Sequence, residues 1–224
     1  MARYHKQMRF GGWTATALLR LACLAAGVSH LQAQTLADPP LSTGEKWEFG
    51  TVETFDPLAI LDLGAGAALR QQQDQFPSFG QGVFGFAKRY GVAFSNHAGS
   101  DYMTGSIFPI LLKEDPRYFR KGEGGFFRRF FYAASRIPVT RTDKGKNRFN
   151  FSEIIGNAAA ATLSNVYLPH GDRTTSYSSQ TFGLFLGSDA LVNIAKEFWP
   201  NVRHKLFHGP PAGGSAPSPQ GLVH

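Results

Sequence analysis

His97 and Asp101 are the residues whose types and spacing best fit proton chemistry. They lie four positions apart, so on a helix their side chains share one face and could exchange a proton or bind metal. His170 and Asp172 follow in a segment of loop-forming residues after a predicted helix. If helix and loop converge, the four side chains form a composite hydrolase-type site. The simpler interpretation, which we favour, is a hydrogen-bonded pair at His97 and Asp101 inside a helical bundle.

Motifs of the common catalytic classes are absent from the sequence. It contains no G-x-S-x-G, no H-E-x-x-H and no phosphate-binding loop. Cys23 is the only cysteine, and it falls in an N-terminal segment that we expect to be removed. The remaining chain then has no thiol chemistry and no disulfide. We therefore expect no metal and no cofactor, and we favour a non-catalytic protein.

Residues 124–132, with the sequence GGFFRRFFY, place two arginines between two pairs of phenylalanines. Such a segment can bury aromatic rings at the acyl boundary of a membrane while its guanidinium groups bind phosphates. We predict that an anionic surface is bound by Arg128, Arg129, Arg136, Phe127 and Phe130. The alternative is an amphipathic helix whose phenylalanines are core and whose arginines are solvated or paired with Glu123 and Asp143.

Residues 1–33 are typical of a secretory signal peptide. Basic residues precede an apolar run over residues 13–28, and Leu31-Gln32-Ala33 offers a cleavage site. The alternative is an anchor helix that is never cut. We therefore expect an exported protein, located in the periplasm or at the periphery of an envelope membrane.

The basic residues are unevenly distributed along the chain. Residues 113–148 contain 11 basic and 4 acidic side chains, a local charge of +7, whereas the rest of the chain after residue 33 is net acidic. This asymmetry favours an anionic partner for one face. Because we expect export, the anionic partner is a membrane surface and not nucleic acid.

Helix-start signals and composition divide the chain into four parts. We predict an extended lead-in over residues 34–55, one helical domain over residues 56–208 and a flexible tail over residues 209–224, which is rich in Pro, Gly and Ser. Asp56-Pro57 is a favourable helix start. Asn150, followed by Glu153 at the third helical position, is typical of a capping box.

Small residues recur at four-residue spacing in three of the predicted helical segments. On a helix, this spacing forms a stripe that lets two backbones approach closely. The predicted packing positions are Ala87, Gly91, Ser95, Gly99, Gly156, Ala160, Ser164, Gly183 and Gly187. We predict an all-α, compact bundle of about four to five helices. Strands, suggested by short alternating runs such as Phe84 and Phe86, are the alternative.

Several longer motifs are shared with a group of exported proteins. The runs LLKEDPRYFRKG, SRIPVTRTDKG and FNFSEIIGNAAAATLSNVYLP, and the later KEFWPNVRHKLF, resemble a family of uncharacterised exported bacterial envelope proteins. The resemblance covers most of the chain after the signal segment and implies that this part is one unit. It implies no activity, cofactor or catalytic residue.

Together these features favour a non-catalytic envelope protein that associates with an anionic membrane surface or packs against another envelope protein. A homo-oligomer formed through the glycine stripes is a further possibility. The alternative function is a hydrolase-type enzyme with its site around residues 97–101 and 170–172.

The signal-peptide prediction can be tested on the native protein. We expect a mature N-terminus near Gln34, so mass spectrometry should detect no peptide that contains Cys23. Recovery of intact peptides from residues 1–33 in the membrane fraction would instead support the uncut anchor.

Overall fold

The computed structural model describes residues 39–207, so the predicted signal segment and the predicted tail over 209–224 lie outside the described residues. The helices are α1 (Thr43–Thr54), α2 (Pro57–Gln72), α3 (Gly82–Tyr102), α4 (Phe108–Leu112), α5 (Phe126–Ser135), α6 (Phe151–Leu163) and α7 (Thr175–Phe207). A π-helical turn over Met103–Ile107 joins α3 to α4. The prediction of a compact, all-α fold is confirmed.

A small antiparallel sheet is a part of the architecture that the sequence analysis did not predict. Its strands are β1 (Glu114–Asp115), β2 (Val139–Thr142) and β3 (Asn147–Phe149), in the order β1-β2-β3. Glu114 lies opposite Thr142, and Val139 lies opposite Phe149. The strands are only two to four residues long, too short to produce a visible alternation in the sequence.

The prediction of an extended lead-in over residues 34–55 is wrong for Thr43–Thr54, which form α1. A capping box starts this helix. The Ser42 hydroxyl accepts from the Glu45 amide at 3.3 Å, and the Glu45 carboxylate accepts from the Ser42 amide at 2.7 Å. The two bonds satisfy backbone donors that would otherwise be exposed at the helix start.

The two helix starts predicted from capping residues are confirmed. The Asp56 carboxylate accepts from the amides of Leu58 and Ala59 at 2.9 and 3.0 Å, at the start of α2. The Asn150 side chain accepts from the Glu153 amide at 3.1 Å, at the start of α6. The capping box predicted there is wrong, because the backbone N–H of Asn150 donates to the Pro138 carbonyl at 3.0 Å and not to the Glu153 carboxyl group. The Glu153 carboxyl group instead borders the central cavity.

Helix α7 contacts elements along most of the bundle. Its 33 residues give a length of about 50 Å at 1.5 Å per residue. Near its N-terminus, Tyr177 contacts the ring of Phe76. Near its C-terminus, the Phe198 ring lies 5.0 Å from that of Phe126 on α5. Helix α6 packs against both α3 and α7, so the interior of the domain lies between these three helices and α1.

Polar and charged side chains occupy much of the interior, while many large apolar side chains lie outside. Arg89 is fully buried, and its guanidinium donates to the carbonyls of Gln75, Phe76 and Gly80. By contrast, Phe84 at the start of α3 is 84% exposed. No helix within residues 39–207 is both long and apolar enough to cross a bilayer.

Glycines of the predicted stripes differ in how closely a neighbour approaches them. A Cβ on Gly156 would lie 3.2 Å from the backbone of both Met103 and Thr104, so α6 touches the π turn there. A Cβ on Gly91, Gly183 or Gly187 would meet nothing within 4 Å. Close backbone approach is therefore present at Gly156 and not at the other three.

This difference predicts opposite signs for two alanine substitutions. Gly156→Ala should lower the free energy of unfolding by about 1–2 kcal/mol, because overpacking costs about 1–3 kcal/mol and the gain in helix propensity is at most about 1 kcal/mol. Gly91→Ala, the matched control on an exposed face, should raise it by about 0.5–1 kcal/mol. Urea denaturation followed by circular dichroism measures both. Equal effects in the two variants would contradict a close contact at Gly156.

Candidate functional site

A cavity of about 90 Å³ lies in the interior, bordered by the helices and by one side of the sheet. Four helices each contribute one acidic residue to its border: Glu53 on α1, Asp101 on α3, Glu153 on α6 and Asp189 on α7. We refer to these four residues as the carboxyl cluster. The acidic residues Glu114 and Asp115 of β1 lie on the opposite wall. Lys196, also on α7, borders the same cavity. The site therefore brings four carboxyl groups together where four helices meet.

Asn157 fixes the geometry of two cluster members. It is fully buried on α6, and its carbonyl oxygen accepts from the Ser100 hydroxyl at 2.5 Å. Its amide group is thus left to donate to the carboxyls of Glu153 and Asp189, each at 3.1 Å. Because Ser100 sets the orientation of the amide, α3 helps to position carboxyls that belong to α6 and α7.

Burial dominates the electrostatics of the carboxyl cluster. It is the main cause that raises the pKa of Asp101 well above its usual range, and the charges of Glu53 and Asp189 raise it further. Burial and the charge of Asp189 likewise raise the pKa of Glu153 well above its usual range. Burial also raises the pKa of Asp189, although hydrogen bonds to Glu153 and Asn157 lower it in part. Asp101, Glu153 and Asp189 therefore retain protons that exposed carboxyls lose.

Lys196 is the ammonium group that pairs with the carboxyl cluster. Its Nζ lies 3.0 Å from the Glu53 carboxylate and joins α7 to α1. This ion pair is partly exposed, because the Glu53 side chain is 41% exposed. One ammonium group cannot balance four ionised carboxyls, which agrees with the raised pKa of Asp101, Glu153 and Asp189.

His97 and Asp101 lie together, one turn apart on α3. His97 Nε2 lies 3.2 Å from Asp101 Oδ2, although the two atoms are not aligned as a hydrogen bond. Burial lowers the pKa of His97, and the His97 side chain is hydrogen-bonded to the backbone of Glu53. The structure thus places the two side chains in close contact, without the hydrogen bond that the sequence analysis favoured.

The other two residues of the predicted composite site lie elsewhere. The His170 side chain is exposed. Asp172 borders a separate surface cleft, together with Phe76 and Tyr177, whereas Asp101 borders the central cavity. The structure thus brings together His97 and Asp101 but does not bring Asp172 to the cavity that Asp101 borders. Within residues 39–207, no group of three or more His, Cys, Asp or Glu side chains is arranged to hold a metal ion.

A second buried charge site connects α5 to α7. Glu197 Oε1 accepts from Arg129 Nε at 2.7 Å and from the Gly122 amide at 3.0 Å. Glu197 Oε2 accepts from the Tyr118 hydroxyl at 2.7 Å and from the Lys121 amide at 2.9 Å. Burial opposes ionisation of Glu197, but these hydrogen bonds outweigh it and lower its pKa. Arg129 and Glu197 are therefore a fully bonded ion pair.

The residues predicted to bind an anionic surface are divided between the interior and the outside of α5. Arg129 is buried against Glu197. Arg136 is half-buried, with its guanidinium carbon 4.9 Å from the centre of the Tyr132 ring. Arg128 is exposed, Phe127 is 72% exposed and Phe130 is half-buried. The alternative of core phenylalanines and solvated arginines is therefore wrong for Phe127 and Arg129.

Sequence reasoning missed Glu53, Asp189, Asn157 and Lys196, and it assigned Glu153 only to a cap. One signal was present, because Asp189 interrupts the otherwise uncharged run 174–195 of α7. A lone carboxylate in such a helix suggests a polar interior site.

Comparisons with known proteins add no relative. No protein-family model, no curated protein and no solved structure matches this chain. The resemblance to exported envelope proteins therefore stays a prediction.

The two adjacent arginines of α5 provide a matched pair for testing the buried ion pair. Arg129→Ala should lower the free energy of unfolding by about 3–5 kcal/mol, because it leaves the Glu197 carboxylate buried without its cation. Arg128→Ala should change it by no more than about 0.5 kcal/mol, since that side chain is exposed. Urea denaturation measures both. Similar small effects would show that Arg129 is not the partner of Glu197 in solution.

Proposed function

We propose that this protein is a non-catalytic component of the bacterial envelope that binds an anionic membrane surface through helix α5. The observation that carries the proposal is the outward position of three aromatic side chains on this helix. Phe126, Phe127 and Phe131 expose 60%, 72% and 67% of their surface. Exposed aromatic groups of this size are typical of an interaction site.

The geometry of α5 places an arginine beside these rings. At 100° per residue, Phe127 and Phe131 point within about 40° of each other, and Arg128 lies about 60° beyond Phe131. Arg129 lies about 160° from Phe131, on the buried side where it binds Glu197. We define the exposed face of α5 as Phe127, Arg128 and Phe131. It combines apolar rings that can enter the acyl boundary with a guanidinium group that can bind phosphate.

Ion pairs within the protein neutralise some of the basic side chains of residues 113–148. The basic side chains that remain exposed support binding to an anionic surface. Arg117 pairs with Asp115 at 2.6 Å, and Arg148 pairs with Glu114 at 3.0 Å. The exposed basic side chains of residues 113–148 are Lys113, Arg128, Lys144 and Lys146. The hairpin that carries Lys144 and Lys146 lies next to the end of α5, because Arg136 donates to the Asn147 side chain at 3.3 Å.

The hydrolase alternative receives less support from the geometry. Its four residues do not meet in one cavity, since Asp101 and Asp172 border different ones. Binding to another envelope protein is the other candidate, and one observation favours it. Val83 and Phe84 are 82% and 84% exposed at the start of α3, which gives a second apolar surface away from α5.

Vesicle binding tests the membrane proposal. Purified native protein should bind vesicles of anionic lipid at low salt and partly dissociate as salt rises, because the Debye length falls to about 8 Å at physiological ionic strength. Arg128→Glu should weaken binding about 30-fold at low salt, since each charge near an anionic bilayer contributes about 1 kcal/mol and the substitution changes two. Phe127→Ser with Phe131→Ser should weaken it at least about tenfold at every salt concentration.

Matched control variants can be made in the N-terminal part of α3, outside α5. Lys88→Glu and Phe84→Ser change an exposed cation and an exposed ring outside α5, and should leave vesicle binding unchanged. Equal losses in the control variants would mean that binding is not localised to α5. If the wild-type protein ignores anionic vesicles at low salt, the membrane proposal fails and the partner-protein candidate replaces it.

A further inference from the structure

The carboxyl cluster lies where four helices meet, and its four members come from four different helices. We propose that the cluster is a pH-sensitive latch: protons retained by Asp101, Glu153 and Asp189 hold α3 and α6 against α7, and loss of those protons releases α7. The proposal is independent of membrane binding, because the cluster borders the central cavity and the exposed face of α5 is not part of it.

The contact between Glu153 and Asp189 is the structural basis of the latch. Asn157 Nδ2 donates to a carboxyl oxygen of Glu153 on α6 and to one of Asp189 on α7, each at 3.1 Å, so the two carboxyl groups meet at one nitrogen. Ionised carboxylates only accept hydrogen bonds, and two of them held this close repel each other. A proton on one carboxyl removes this repulsion and supplies an O–H donor. When the proton leaves, α6 and α7 repel each other at this contact.

The charged groups around the cluster do not replace that proton. On α7, the Lys196 ammonium pairs with Glu53 of α1 at 3.0 Å. On α3, His97 lies 3.2 Å from Asp101, and the nearby acids Asp56 and Asp62 act on His97. The charged residues on the opposite wall of the cavity are Glu114, Asp115, Arg117, Arg136 and Arg141.

Most of that opposite wall is engaged elsewhere. Arg117 bonds to Asp115 at 2.6 Å, and the Arg141 guanidinium lies 5.0 Å from the centre of the Phe119 ring. The Arg136 guanidinium lies over Tyr132. Deprotonation of the cluster would therefore add negative charge beside Lys196, whose ammonium group already pairs with Glu53.

The sign of the pH dependence follows from the direction of the shifts. Burial, first of all, raises the pKa of Asp101, Glu153 and Asp189 above the ordinary values of 3.8 and 4.5. The folded protein thus keeps protons that the released carboxyls lose, so the latch is tightest at low pH and weakens as pH rises from about 4.5 through the raised values. His97 acts oppositely, because burial lowers its pKa and disfavours its protonation below pH 6.5.

Hydrogen exchange of the native full chain between pH 4.5 and 9, corrected for intrinsic rates, measures the opening of α7. We expect the opening equilibrium constant of amides around Asp189 to rise with pH, up to about tenfold per pH unit for each proton released. Glu153→Gln should flatten this dependence, because the amide can still donate to Asp189 but cannot ionise. His97 titrates in both proteins, so their difference isolates the Glu153 carboxyl. The control variant Glu48→Gln changes an exposed carboxyl of α1. Its opening equilibrium constant should depend on pH as that of the wild-type protein does.

Asp189→Asn is the second variant and should flatten the pH dependence in the same way. Opening that is independent of pH in the wild-type protein would overturn the latch. So would a wild-type pH dependence in both amide variants. Failure of both variants to fold at pH 5 would also overturn it, because an amide should substitute for a protonated carboxyl there.

Discussion

The cost of removing charge from water constrains the whole interior of this bundle. An ionised carboxylate in a protein interior costs several kcal/mol unless it is paired or protonated. Glu197 is paired, with four donors around its two oxygens. Glu153 and Asp189 both accept from the Asn157 side chain, and burial raises their pKa values. Each of these arrangements needs groups from more than one helix or loop. The relative positions of the helices therefore depend on which groups bind the buried carboxyls.

Small side chains make this polar interior possible. Where α6 crosses the π turn, Gly156 allows backbone contact, and the fully buried Asn157 follows it directly. Bonds from the buried amide to its partners are about 3 Å long, so they require the helices to lie close together. The apolar side chains that would fill the core of an ordinary bundle lie outside instead, as Phe84, Phe127 and Phe131 do.

What could be predicted from the sequence is mostly local. Asp56-Pro57 and Asn150 start helices because their capping bonds reach only two or three residues along the chain. The same logic applies to Ser42 and Glu45, which would have revealed α1. The all-α class followed from such signals together with helical periodicity.

The candidate site could not be derived in this way, because its partners are distant in sequence. Arg129 and Glu197 are 68 positions apart, and Asn157 and Asp189 are 32 apart. In the FFRRFFY segment, pattern alone does not show whether rings or guanidinium groups turn inward, since each can stabilise an amphipathic helix. Here Glu197 supplies a buried acceptor that draws Arg129 inward, and the rings of Phe127 and Phe131 are thereby left outside. His97 and Asp101 were identified because they lie one turn apart on α3.

The π-helical turn over Met103–Ile107 sets the phase between α3 and α4. Such a turn contains one more residue than an α-helical turn. It therefore has the same effect on the helix as the insertion of one residue. Deleting one residue there would restore a regular helix and rotate everything beyond it by about 100°. Pro109, whose carbonyl accepts from the buried Lys46 ammonium at 3.2 Å, would turn away from α1. Chain length in this turn is thus fixed, and an alignment of any related sequence should place no gap between residues 103 and 107.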